Sequence, residues 1–200
     1  MIMNGVPIKY VQEFVADSAT VFETLWKELA WVRRDQTPRS EYYCNDSGLP
    51  YTYGRGAGVR TYEAQPWHPV ITAIREGAEK IAGCRFEVCF LNGYRDGSDQ
   101  LGWHADDSPE MDDERPIAIV SLGARREIYF APAIKTTAMG ETTLTTVKPD
   151  TTNVTKLWLD SGSLCLMEAG MQDTHFHRIP KSSIQNCGPR VSLTFRGLSV

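Results

Sequence analysis

Downstream of Gly83 the chain is cut into short β-prone pieces separated by turn-forming residues, a rhythm that leaves few folds open. Phe86, Val88 and Phe90 alternate with Arg85, Glu87 and Cys89. Further strands are expected at Ile117–Leu122, Glu127–Ala131, Glu141–Val147, Thr155–Leu159, Ser163–Met167 and Arg190–Arg196. Threonines between Thr142 and Thr155 suit a solvent-facing hairpin with Pro149-Asp150 at its turn. Many short strands bury their apolar faces by closing or stacking, so the expected class is mainly β, an antiparallel jelly roll.

Two helices precede these strands. Val21, Phe22, Leu25, Trp26 and Leu29 recur at helical spacing within Ser18–Ala30, with Asp17 or Ser18 available as a cap. A second helix is expected over Pro69–Ala82, with proline in its first turn, Gly83 just past its end and a sheet-facing stripe of Val70, Ile74, Ala78 and Ile81. Between them, residues 38–66 are rich in Tyr and Gly and read as a binding lid built of hairpins. The 200 residues are expected to form one domain, 1–200, carrying that lid.

A net charge of -4 argues against a broad non-specific nucleic-acid surface but leaves room for a local basic rim. Arg33, Arg34, Arg39, Arg55, Arg60, Arg125, Arg126 and Arg178 are its candidates. The five cysteines include no Cys-x-x-Cys pair and read as reduced, mostly buried thiols. No apolar run approaches the ~20 residues that span a bilayer, and no secretory leader is evident. The expectation is therefore a cytoplasmic protein without a membrane partner, with the nucleus as the alternative in a eukaryote. No phosphate loop, dinucleotide fingerprint or internal repeat is present, and Asn153-Val154-Thr155 is a chance glycosylation match.

His104 and Asp106 stand two residues apart, so on an extended strand both side chains leave one face. With a second histidine they make half of an octahedral shell and leave three positions for a chelating cosubstrate and oxygen, the set preferred by non-haem Fe(II) oxygenases. His175 and His177 share one strand face and compete for the third place, while His68 reads as a cap of the second helix. Zinc is the rival metal if Cys165 or Cys187 supplies a fourth ligand. On Arg190–Arg196, Val191, Leu193 and Phe195 face one way and Arg190, Ser192, Thr194 and Arg196 the other. Two guanidiniums on a cavity wall suit a dicarboxylate such as 2-oxoglutarate, and Asn92 and Tyr94 add an amide and a phenol.

These pieces, in order, resemble the AlkB family of Fe(II)- and 2-oxoglutarate-dependent dioxygenases. The resemblance runs from about Pro38 to Leu198 through Tyr51-Thr52-Tyr53, Trp67-His68-Pro69-Val70, Asn92-Gly93-Tyr94 and His104-Ala105-Asp106-Asp107. It continues through Leu166-Met167-Glu168, His177-Arg178-Ile179-Pro180-Lys181 and Pro189–Arg196, and is nearest to the branch that repairs alkylated bases. It implies a double-stranded β-helix with flanking N-terminal helices. It implies His104, Asp106 and His177 as iron ligands, with His175 at a position where the family often has an aromatic residue. Arg190, Arg196, Asn92, Tyr94 and Ser192 become contacts of 2-oxoglutarate, with Arg190 on its distal carboxylate. Tyr51 and Tyr53 match the nucleotide-recognition lid, and Asp107 and the wall formed by His104 complete the base pocket. Ser108 stands where the repair branch generally has an acid, and Ser192 where asparagine is usual.

The implied reaction is oxidative demethylation of N-alkylated bases with Fe(II), O2 and 2-oxoglutarate, releasing formaldehyde, succinate and CO2. The expected partner of this monomer is alkylated DNA or RNA, single-stranded or locally flipped. Two alternatives remain at this stage. One is a dioxygenase of the same mechanism acting on a free nucleotide, small metabolite or protein side chain. The other is a metal-containing module that binds modified bases without oxidising them.

Overall fold

Local sequence starts and stops the two main helices close to the expected residues. In the structure, a computed structural model that describes residues 5–35, 37–53, 59–138 and 144–199, α1 spans Ser18–Glu28 and α2 spans Pro69–Ala82. The Asp17 side chain accepts the Thr20 N–H at 3.4 Å, and Leu29 already has extended backbone, which ends α1 before Ala30. His68 caps α2 through Nδ1, which accepts the Val70 N–H. Gly83 closes that helix in the left-handed region, at φ +73°, where glycine has no Cβ to clash.

The strands are β1 (Ile8–Val11), β2 (Val32–Arg33), β3 (Ser40–Asn45), β4 (Tyr51–Tyr53), β5 (Arg60–Tyr62), β6 (Val88–Tyr94) and β7 (Leu101–His104). They continue with β8 (Ile117–Gly123), β9 (Arg126–Ala138), β10 (Leu144–Pro149), β11 (Thr155–Leu159) and β12 (Ser163–Met167). The one-turn α3 (Met171–Thr174) leads into β13 (His175–Ile179), and β14 (Arg190–Arg196) ends the fold. A seven-stranded antiparallel sheet runs β1-β12-β8-β14-β6-β3-β2, and a smaller one runs β10-β9-β13-β7 with β11 also on β9. β4 and β5 form a separate hairpin. This is the expected jelly roll. No helix among the described residues is long and apolar enough to cross a membrane.

Strand parity sorts the core into two layers. Ala118, Val120 and Leu122 of β8 and Val191, Leu193 and Phe195 of β14 pack under α1 and α2, against Phe22, Leu25, Ile71 and Ile74. The opposite parity, Ile117 and Ile119, meets Ile128, Phe130, Leu157 and Leu159 of the smaller sheet. Ser192, Thr194 and Arg196 share that second direction, so the same alternation that builds the core aims polar groups into the space between the sheets.

Several expectations are corrected. β10 and β11 do not pair with each other; both pair with the long β9, β10 with residues 133–138 and β11 with residues 126–130. The Thr142–Thr155 segment is therefore no hairpin, and Pro149-Asp150 sits where the chain passes from one half of β9 to the other; residues 141–143 lie outside the described residues. Ser40–Asn45, read as lid, is a fully buried strand between β2 and β6, so within 38–66 the β4–β5 hairpin is what stands apart from the main sheet. Strand β6 is covered on both faces, by α2 and by the tyrosines Tyr43, Tyr51 and Tyr62. The supposed basic rim is thinner as well. Arg39 and Arg126 are buried, Arg33 is bound to Asp99, and Arg55 lies outside the described residues.

The Arg33–Asp99 pair ties the β6–β7 loop, which delivers His104, to β2. Arg33 donates to both Asp99 oxygens at 2.8 and 2.9 Å, and the Arg95 N–H donates at 2.8 Å. Burial alone would raise the Asp99 carboxyl, but these donors outweigh it and hold it below the usual carboxylate range. A carboxyl depressed in the folded state contributes stability above its unfolded pKa and loses it as pH falls through the folded value. Asp99→Asn is therefore expected to lower the melting temperature at neutral pH and to flatten its fall on the acid side. Melting curves of both proteins across that range check this, and parallel pH profiles would contradict it.

Candidate metal and cosubstrate site

β13 lies between β9 and β7, and its register sets His177 directly opposite His104. Their rings stand 4.2 Å apart, centroid to centroid. The strand expected to carry both His104 and Asp106 ends at His104; Asp106 lies just beyond it, where its N–H donates to Gln172 Oε1 of α3. The chain still returns the carboxylate to the histidines. Asp106 Oδ1 is 3.6 Å from His104 Nε2, and Oδ2 is 3.6 Å from His177 Nε2. One donor atom from each residue falls within 4.8 Å of the others, and among the described residues these three make the one such cluster.

The donor chemistry fits a divalent cation. His104 Nδ1 faces the Gly102 carbonyl at 2.9 Å and must donate to it, which leaves Nε2 with its lone pair toward Asp106. Burial keeps both imidazoles neutral. It lowers His104, and with the neighbouring His104 it pushes His177 down to about 3. Burial would lift the Asp106 carboxyl, but Arg196 and the two histidines hold it below its ordinary value. Arg196 Nη2 donates to Asp106 Oδ1 at 2.6 Å, while the buried Oδ2 has no hydrogen-bond partner. One oxygen is thus held and the other is open to a ligand, since a buried acceptor left unpaired is costly.

The other expected residues divide. His175 turns to Thr174 Oγ1 at 2.9 Å and stands outside the cluster. Cys165 is buried between the sheets, its thiol pushed up to about 12, and neither it nor Cys187 joins the donors. Asn92, Tyr94, Ser192 and Arg196 line one cavity with His104, Asp106 and His177. Arg190 is not one of the lining residues; it lies fully buried beside Ser192, two residues before it on β14. Its Nη2 donates to Ser121 Oγ at 2.8 Å and Ser192 Oγ at 3.2 Å, but Nε and Nη1 have no partner. Burial lowers its pKa to about 10, so it stays a cation at neutral pH. Arg190 therefore does not pair with a surface Asp or Glu, and a buried cation with free N–H groups fits a carboxylate of the cosubstrate.

Tyr51, itself buried, lines the cavity, stacked between Tyr43 and Tyr62, with its hydroxyl 2.5 Å from Ser108 Oγ. The Tyr53 backbone belongs to β4, but its side chain lies outside the described residues. Asp107 is exposed beside Asp106. Sequence reading missed Arg39 as a wall of this cavity. Its Nε donates to Asn92 Oδ1 at 2.6 Å and its Nη2 lies 3.0 Å from Glu41 Oε1. No pattern announced it, because Asn92 is 53 positions away.

Comparison with known proteins agrees with this geometry. The profile of the 2OG-Fe(II) oxygenase superfamily matches residues 15–196. Human alpha-ketoglutarate-dependent dioxygenase alkB homolog 3 is 34% identical over 175 residues, covering 86% of this chain and 56% of that protein. Human DNA oxidative demethylase ALKBH2 is 31% identical over 192 residues, covering 90% of this chain and 69% of that protein. The chain thus spans little more than half the length of some of the curated relatives it matches. A solved structure described as that of OsALKBH1 superposes with a TM-score of 0.66, covering 96% of this chain and 98% of the other. At 15% identity that likeness concerns the fold.

Proposed function

Because this chain belongs to the AlkB family of the 2OG-Fe(II) oxygenase superfamily, we propose that it oxidatively demethylates N-alkylated bases in DNA or RNA. One observation carries the reading. The two-histidine, one-aspartate cluster lines the same cavity as Ser192 and Tyr94, and both of these touch the buried Arg190, which forms no ion pair among the described residues. His104, Asp106 and His177 would hold Fe(II). Arg190 would hold the distal carboxylate of 2-oxoglutarate and Arg196 would lie by the end near the metal, with Asn92, Tyr94 and Ser192 as further contacts. Once bound, Fe(II), O2 and 2-oxoglutarate supply the oxidation that releases an N-methyl group as formaldehyde, with succinate and CO2 as coproducts.

The chain's own work is positional. Arg196 fixes Asp106 by one oxygen, which presents the other beside His177. Ile119, Ile128 and Ile179 line the cavity with apolar surface and exclude water from its walls. The aromatic side chains of Tyr51, Tyr62 and Phe90 line the cavity together with His104 and offer apolar surface to a flipped base, with Tyr53 on the same hairpin as Tyr51 and Asp107 next to Asp106 in the chain. Flipping costs a few kcal/mol, least at a methylated base that already pairs poorly. Stacking returns about 1–3 kcal/mol. A single strand is therefore the favoured partner, met by one copy of the chain.

The test is mass spectrometry of single-stranded, duplex and mononucleotide substrates carrying 1-methyladenine, 3-methylcytosine or etheno adducts. Each is incubated with Fe(II), ascorbate and 2-oxoglutarate. Removal of the adduct, the methyl group or the etheno bridge, from single strands ahead of duplexes and mononucleotides is expected. Turnover confined to mononucleotides, or absent from all three, would move the proposal to a small-molecule or protein substrate.

A further inference from the structure

Arg190 shares the Tyr94 ring with a second buried cation that no sequence motif marks. Arg126, at the start of β9, is 1% exposed. Its guanidinium donates to three backbone carbonyls from separate segments: Asp96 at 3.2 Å, Asp99 at 2.8 Å and Pro180. None of these acceptors carries a compensating charge. The Asp99 carboxylate, the nearest acid in sequence to those carbonyls, is taken up by Arg33 and the Arg95 N–H. Among the described residues neither Arg126 nor Arg190 forms an ion pair.

Tyr94 links the two. The Arg190 guanidinium stands 5.2 Å from the centre of its ring and the Arg126 guanidinium 5.4 Å. Tyr94 itself lines the cavity, opposite Arg190 in the β6–β14 register. The Arg126 charge is felt at Arg190, whose pKa is lowered first by burial and then, against the pull of the Tyr94 phenol, by Arg126. Two cations buried without an acidic partner beside Tyr94, a wall of the cavity, are costly, and an anion placed against that wall relieves both.

We propose that Arg126 is a positioning residue for the cosubstrate. Fixed by three carbonyls and set against Tyr94, it holds the Tyr94–Arg190 wall in place and adds a second positive charge that selects a dianionic 2-oxo acid. This rests on the reading of Arg190 as the 2-oxoglutarate arginine. The groups involved are not metal ligands, so the effect is on cosubstrate binding and is read without turnover.

The experiment is calorimetric titration of the full chain, loaded with Mn(II), with 2-oxoglutarate and with 2-oxovalerate. The second acid has the same length and 2-oxo head but a methyl in place of the distal carboxylate. Arg126→Gln is expected to weaken 2-oxoglutarate roughly tenfold, from the loss of one nearby charge in a low-dielectric site, and to leave 2-oxovalerate within twofold. Arg126→Lys should recover most of that loss. An equal loss for both acids, no loss for either, or no recovery with lysine overturns the proposal. Should neither Arg126 variant fold, Arg190→Met decides. A remaining preference for 2-oxoglutarate over 2-oxovalerate in that protein supports the second charge, and its complete disappearance overturns it. A wild-type chain that binds neither acid overturns the 2-oxoglutarate reading itself, and this inference with it.

Discussion

Asp106→Ala is expected to lose stoichiometric iron and to bring 2-oxoglutarate turnover to background. The substitution removes the anionic ligand, and with it the partner of Arg196, which is 8% exposed and bound to Asp106 at 2.6 Å. Breaking a buried ion pair from one side costs about 3–5 kcal/mol, so the alanine protein will also be less stable. Asp106→Asn separates the two effects. It keeps the shape and an oxygen that accepts from Arg196, yet offers no anionic oxygen beside His177. A folded asparagine protein without iron or succinate release is the expected result. His177→Ala should behave likewise, and His175→Ala should retain iron, because His175 stands outside the donor cluster. Metal content and succinate release are measured in all four proteins. Full turnover in the His177 variant, or loss of iron confined to the His175 variant, would reverse the ligand assignment.

Arg190→Met carries the second large effect. Methionine fills part of the same buried volume without a charge, so the barrel should persist while the distal carboxylate loses its partner. Truncating one side of a buried, hydrogen-bonded charge pair costs about 2–5 kcal/mol, which is a rise of roughly thirtyfold or more in half-saturating 2-oxoglutarate. In the absence of cosubstrate the same change should raise the melting temperature, since it removes a buried cation whose Nε and Nη1 have no partner. The two readouts move in opposite directions, which a general packing defect would not produce. An unchanged titration curve would place the carboxylate elsewhere.

Residues that act through local periodicity were readable in the sequence. Pro69 and Gly83 bracket α2, and the alternation in Arg190–Arg196 separates the core-facing Val191, Leu193 and Phe195 from the cavity-facing Ser192, Thr194 and Arg196. The cluster of His104, Asp106 and His177 is legible in part, because His104 and Asp106 are close in sequence, while strand parity leaves His175 and His177 equal and only the family resemblance points to His177. What escaped depends on partners far along the chain. Ser40–Asn45 is buried on both faces and so lacks alternation, which made a core strand resemble a lid. β10 and β11 look like successive arms of a hairpin because turn residues separate them, but each pairs with its own half of the 13-residue β9. Arg39 and Arg126 looked like rim charges, since nothing local distinguishes a surface arginine from one that folding buries against carbonyls and an amide.

The most direct measurement of the central claim is simultaneous quantification of formaldehyde and succinate from one singly methylated single-stranded oligonucleotide. The wild-type chain with Fe(II), O2 and 2-oxoglutarate should release both, with formaldehyde matching the repaired base and succinate at least equal to it. The unmethylated oligonucleotide should give no formaldehyde, and Asp106→Asn should give neither product. Succinate without formaldehyde on every methylated oligonucleotide, alongside full activity on another substrate class, would contradict nucleic-acid demethylation while leaving the iron site intact.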